Sequence, residues 1–164
     1  MNVKIFRSWA IAVAIPLGLG ALAGFITGAG RYETMYHPPL SPPAWLFPVA
    51  WSLLYVLMGT ASWLVWRNNS KYRDGALKIY AMQLMVNLIW PFLFFSSDFC
   101  PDGRLSGCTL STFLWILLLG YLIYWTWKDF SQIDTRAGSL IFIYFLWVIY
   151  AGYLNLVIAI HSLI

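Results

Sequence analysis

Charge is scarce in this chain. Ten Lys and Arg and six Asp and Glu make up 10% of its 164 residues, where a soluble domain carries about 25%. The acids Glu33, Asp74, Asp98, Asp102, Asp129 and Asp134 all fall outside the long apolar runs, and so does every Lys and Arg. Pumps, voltage sensors and ion-coupled carriers place ionisable groups inside the membrane, so their absence argues against all three. Histidine and cysteine number two each. His37 and His161 sit at the outer ends of the spans and not at the depth of the aromatic cluster, so no catalytic pair is expected, and no Ser/His/Asp set or glycine-rich phosphate loop is present. Two cysteines without a neighbouring histidine make no metal site. The net charge of +4 follows the expected topology and implies no nucleic-acid partner.

Apolar residues are plentiful, at 61% of the chain. A membrane span needs about 20 of them in a row. Five uncharged runs meet or nearly meet that length: Ser8–Gly30, Ala44–Trp66, Ile79–Ser97, Leu105–Trp127 and Ala137–Ile160. They leave no room for a soluble domain, so residues 1–164 read as a single membrane domain. The expected class is an all-α integral membrane protein, a bundle of five transmembrane helices. Lys4, Arg7, Arg67, Lys71, Arg73, Lys78, Lys128 and Arg136 fall on one side of such a bundle, and only Arg31 and Arg104 on the other. Basic residues concentrate on the cytoplasmic side, which puts the N-terminus inside and the C-terminus outside. Ala21-Leu22-Ala23 resembles a signal-peptide cleavage site, but the uncharged run continues to Gly30 and is read as a span. Gly20, Gly24 and Gly28 suit it to close helix packing.

Cys100 and Cys108 fall at the outer connection of spans three and four, where disulfides persist. A bond there would add about 2–3 kcal/mol in the chain-entropy model. The alternative is two unpaired thiols.

The stretch YHPPLSPPAWLFPVAWSLLYVLMG, residues 36–59, is the most informative. Proline fixes φ and removes a donor, so Pro38, Pro39, Pro42 and Pro43 form a stiff lid that feeds into the second span. Pro48 sits near the first turn of that helix, where proline is tolerated. Ten tryptophans are present. Those near span ends suit an interfacial belt, but Trp51, Trp90, Trp115 and Trp147 are deeper. At 1.5 Å per residue, Trp51 and Trp90 lie about 10 Å below the outer boundary, and Trp115 and Tyr150 about 15 Å. Tyr55 lies one turn deeper than Trp51. Such a cluster beneath the lid suits a flat, largely apolar ligand, with core packing as the alternative. Asn87 and Asn155 lie at similar depth, and Gln83 one turn deeper than Asn87. Amides in lipid need partners, so all three should face the bundle.

Three blocks carry a family resemblance: PPLSPPAWLFPVAWSLLYVLMGTASWLVW, QLMVNLIWPFLFF and AGSLIFIYFLWVIYAGYLN. They resemble spans two, three and five of the TspO/MBR family of tryptophan-rich sensory proteins, which includes the mitochondrial translocator protein. The resemblance implies a five-helix bundle, often a homodimer. It implies a pocket under the first loop for porphyrins and other flat hydrophobic ligands, with sterols and drug-like molecules as further candidates. Carried over by position, Trp51, Asn87, Trp90, Trp147, Tyr150 and Ala151 would line or border that pocket. No cofactor is required; a porphyrin or haem-type tetrapyrrole is the expected ligand. The expected role is receptor or regulator, with an uncoupled carrier next and a light-dependent porphyrin-degrading enzyme third.

Three positions depart from the family pattern. Leu40 replaces the family tryptophan associated with porphyrin breakdown. Ile143 replaces a proline, which should leave span five straighter. Leu156 follows Leu154-Asn155 where the sterol-associated motif has an aromatic, and no Lys or Arg comes after it.

Overall fold

The computed structural model of the protein describes residues 3–27, 37–95 and 105–161, the side chains of 105–109 excepted. Five helices carry these residues: α1 Val3–Thr27, α2 Leu46–Trp66, α3 Arg73–Phe95, α4 Leu105–Ile133 and α5 Thr135–His161. All five are long and apolar enough to cross a membrane. The described residues contain no strand. The expected bundle of membrane helices is what forms. Cys100 lies outside the described residues, as does the side chain of Cys108, so their pairing does too.

Several helices outrun the uncharged runs. α3 begins at Arg73 and takes in Asp74 and Lys78; α4 continues through Lys128 and Asp129 to Ile133. Backbone hydrogen bonding does not stop where the apolar residues stop, and charged side chains at helix ends can reach the interface. Three cations there lie over aromatic faces: Arg67 over Trp63 at 4.7 Å, Lys71 over Tyr72 at 4.9 Å and Lys128 over Trp125 at 4.6 Å. These groups define a basic end of the bundle, opposite the proline loop.

The connection between α4 and α5 is a single residue. The Asp134 N–H donates to the Phe130 carbonyl at 2.8 Å, and its Oδ1 accepts from the Arg136 N–H at 2.9 Å. Asp134 is thus the last acceptor-seeking turn of α4 and the N-cap of α5 together. The Arg136 guanidinium beside it holds its carboxyl below the usual carboxylate range. Gly138 makes the tight reversal fit, because a Cβ there would strike Ser131. From the α2–α3 connection, the Asn68 Nδ2 donates to the Ile133 carbonyl at 3.1 Å and so covers the end of α4.

Around the bundle the helices run α1, α2, α5, α4, α3, with α1 closing against α3 and α2 reaching across toward α4. At the α1–α2 crossing a Cβ on Gly59 would lie 2.6 Å from both the Ala12 carbonyl oxygen and the Val13 Cα. Two tryptophans expected in an interfacial belt stitch this crossing instead. The Trp9 Nε1 donates to Thr60 Oγ1 at 3.2 Å, and the Trp63 Nε1 donates to Ser8 Oγ at 3.0 Å. An indole N–H in hydrocarbon needs such a partner. Of the three α1 glycines expected at a helix contact, Gly20 packs against the Tyr55 ring, Gly24 has open space where a Cβ would go, and Gly28 lies outside the described residues.

Candidate functional site

Tyr55 on α2, Asn87 on α3 and Tyr144 on α5 meet in the middle of the bundle. The Tyr55 hydroxyl donates to Asn87 Oδ1 at 2.8 Å, and the Asn87 Nδ2 donates to the Tyr144 hydroxyl at 2.6 Å. All three are buried. Three helices are thereby tied through one amide whose two polar atoms are both used. The absence of a side chain at Gly20 is what lets the Tyr55 ring reach this place.

Toward the loop end, a cavity of about 500 Å³ opens above the triad. Its walls come from four helices. α1 supplies Leu17, Gly20, Ala21, Gly24 and Phe25; α2 supplies Phe47, Pro48, Trp51, Ser52 and Tyr55. α3 supplies Asn87, Trp90, Pro91, Phe94 and Phe95, and α5 supplies Ala151, Leu154, Asn155 and Ile158. Ala44 lines it from the loop before α2, and among the described residues none of the lining comes from α4 and none is charged. The size falls in the usual range for sites of small organic ligands, about 300–1,000 Å³.

The aromatic wall is continuous. Trp51 lies 5.9 Å from Tyr55, 6.3 Å from Trp90 and 6.4 Å from Tyr144, centroid to centroid. Trp90 stacks on Phe94 at 4.7 Å. Pro91 cannot donate to the Asn87 carbonyl, yet α3 continues through it to Phe95. At the opposite wall, Asn155 is held by the Thr112 hydroxyl, which donates to its Oδ1 at 3.3 Å. Gln83, also expected to find an interhelical partner, has none for either amide atom. The structure thus offers an apolar, π-rich cavity with few polar groups.

Of the residues singled out from the sequence, Trp51, Tyr55, Asn87, Trp90 and Ala151 line this cavity. Trp147 and Tyr150 do not. Trp147 packs edge-on against Phe47 at 6.3 Å and lies 5.5 Å from Tyr150. The Tyr150 hydroxyl donates to the Leu40 carbonyl at 2.7 Å, and the Tyr153 hydroxyl to the Pro39 carbonyl at 3.2 Å. Trp115 is likewise a strut, its Nε1 donating to the Val86 carbonyl at 2.8 Å. Tyr144 was missed by depth and composition; its place on the inward face of α5 with Ile141 and Val148 was the available signal. Among the described residues no three His, Cys, Asp or Glu side chains gather as metal ligands would.

The proline loop ends in a tight turn. The Ser41 N–H donates to the Pro38 carbonyl at 3.1 Å, with Pro39 second and Leu40 third in the turn. Leu40 has φ 67°, a left-handed value that this turn type normally gives to glycine or asparagine. Its side chain is 82% exposed. The chain then passes through Pro42 and Pro43 into α2, where the Leu46 N–H donates to the Pro43 carbonyl at 2.9 Å. Pro48 is the third residue of α2, where no intrahelical donor is needed.

Fold and site together define a polytopic helical membrane protein with an uncharged, tryptophan-walled cavity under a proline-stiffened loop. The chain belongs to the TspO/MBR family, whose model matches residues 12–161. It is 31% identical to the tryptophan-rich protein TspO of Chlorobaculum tepidum, over 96% of this chain and 97% of that one. It is 32% identical to the translocator protein of Bos taurus, over 90% and 87%. It is 31% identical to the tryptophan-rich sensory protein of Cereibacter sphaeroides, over 94% and 89%.

Proposed function

We propose that this protein is a membrane receptor or regulator that binds porphyrins, or similarly flat hydrophobic molecules, in the cavity beneath its first loop. The observation that carries the reading is the cavity of about 500 Å³ walled by Trp51 and Trp90, with no charged residue among the described lining residues. Stacking on these indoles supplies affinity, and the Tyr55–Asn87–Tyr144 triad forms a rigid polar floor. A haem iron would find no histidine among the described lining residues, so this reading rests on recognition of the tetrapyrrole ring rather than of a metal. Sterols and drug-like molecules compete for the same slot.

A second reading, an uncoupled carrier, is favoured by the rim. Phe25 lines the cavity while 87% exposed, so the cavity communicates with its surroundings beside α1. The names of relatives divide in the same way, between a sensory protein and a translocator. The homodimer and the inward-facing N-terminus belong to the same proposal.

Titration of purified protein with protoporphyrin IX, followed by tryptophan quenching, tests the site. Gly24→Phe is the informative variant, because Gly24 borders the cavity and a Cβ there meets nothing within 4 Å. The new ring occupies ligand space, and replacing a helical glycine is itself favourable. Saturable binding by the parent should weaken by about tenfold or more, equivalent to about 1.4 kcal/mol, with unfolding temperature kept or raised. Equal affinity in the variant would place the ligand elsewhere. Uptake into proteoliposomes separates carrier from receptor.

A further inference from the structure

Trp147, Tyr150 and Tyr153 share one stretch of α5; the two tyrosines act on the loop, and Trp147 acts on Phe47 at the start of α2. Trp147 supports Phe47 from below. The Tyr150 and Tyr153 hydroxyls hold consecutive carbonyls, Leu40 and Pro39, of the proline turn. The turn they grip is strained, because Leu40 carries a branched side chain at positive φ. That side chain is mostly exposed, so side-chain packing does not hold the turn in shape. Among the described residues, the two tyrosines and the Ser41–Pro38 hydrogen bond hold it. From the turn, Pro42 and Pro43 lead stiffly to Pro48, and Phe47 and Pro48 line the cavity. A displacement at Leu40 therefore reaches the cavity roof without being absorbed by flexible chain.

We infer that Tyr150 and Tyr153 are a latch on a spring-loaded lid: they position the proline loop, and their release gates exchange of the ligand. Strain at Leu40 opposes the latch, so the closed lid is favoured only modestly and opening is frequent. Tyrosine hydroxyls suit this task, since two neutral hydrogen bonds to carbonyls can be broken and remade without moving charge. The inference rests on the cavity beneath the loop being the ligand site. It adds that the two hydroxyls set how fast a ligand enters and leaves, while the cavity walls set how tightly it is held.

Two variants pull in opposite directions. Tyr150→Phe/Tyr153→Phe keeps both rings and removes the latch. Leu40→Gly keeps the latch and removes the strain. Hydrogen exchange of ligand-free protein reads the lid alone, over residues 40–47 against residues 67–72 as reference. Stopped-flow quenching with protoporphyrin IX reads exchange. The double Phe variant should speed exchange in residues 40–47 and raise association and dissociation rate constants together by about three- to tenfold, leaving Kd nearly unchanged. Leu40→Gly should slow all three, and residues 67–72 should not respond in either protein. Lid exchange that fails to move in opposite directions overturns the latch whatever the ligand does. Lid exchange that responds as stated while ligand rate constants stay fixed overturns the gating role. Absence of any saturable quenching in the parent overturns the ligand site, and gating with it, while the exchange data still report the latch.

Discussion

At Gln83 a primary amide sits wholly out of solvent, with no hydrogen-bond partner for its oxygen or its nitrogen. One helical turn away, Asn87 engages both of its polar atoms. A buried amide left unpaired costs about 1–3 kcal/mol, so the two are opposites energetically although both are buried amides on one face of α3. Gln83→Met, close in length and apolar, should raise the unfolding temperature and stabilise by about 1–3 kcal/mol. Thermal unfolding in one detergent at one protein concentration decides it, and a clear drop in the midpoint would show that the amide is bonded after all. Sequence reasoning put Gln83, Asn87 and Asn155 inside the bundle, because hydrocarbon offers amides no partners. It could not say which would be satisfied. That depends on whether a hydroxyl on another helix arrives within about 3 Å, and the partners Tyr55, Tyr144 and Thr112 come from three different helices.

Among the elements, α5 shows best what depth along a helix does and does not reveal. Counting residues located Trp147, Tyr150 and Ala151 at the level of the cavity, and the rise per residue makes that dependable. The direction each side chain faces depends on the rotation of α5 against α2 and α4, which packing sets. Ala151 faces the cavity, while Trp147 is turned toward Phe47 on α2 and Tyr150 toward the loop. Helix ends were blurred for a related reason, since α3 and α4 extend through charged residues that uncharged runs exclude. At the start of α5 the loop sequence offers Asp134 or Thr135 as a cap, and Asp134 takes the role. Asp134 accepts from the Arg136 and Ala137 N–H groups at 2.9 and 3.4 Å. Asp134→Ala should destabilise by about 1 kcal/mol. The carboxyl is held below its ordinary 3.8 by Arg136, so its contribution is full above that value and disappears as pH falls through the lowered one. Unfolding midpoints of parent and variant should therefore differ near neutral pH and converge in strong acid. A difference that persists under acid would assign the effect to something other than the ionised cap.

For the molecule as a whole, charge gives the expected orientation. Lys4, Arg7, Arg67, Lys71, Arg73, Lys78, Lys128 and Arg136 gather at one end, and the proline loop lies at the other. If that asymmetry sets insertion, Ser70→Cys should face the cytoplasm and Leu40→Cys, at an exposed position of the proline loop, the opposite side. Labelling intact cells with a membrane-impermeant maleimide, in a background with Cys100 and Cys108 replaced by Ser, should modify only Leu40→Cys; the reverse pattern would invert the topology. The number of spans was legible because each is a nearly unbroken apolar run. Their circular order was not, since membrane helices look alike on their lipid-facing sides and associate through small residues and scattered polar groups. That order also bears on how the chain assembles. One residue joins α4 to α5, so this hairpin closes at almost no entropic cost, whereas bringing Leu17 and Ile158 to one cavity must span nearly the entire sequence. Among the described residues the cavity takes its walls from both ends of the chain and none from α4. An occupant therefore links the first helix to the last and acts as a brake on their separation.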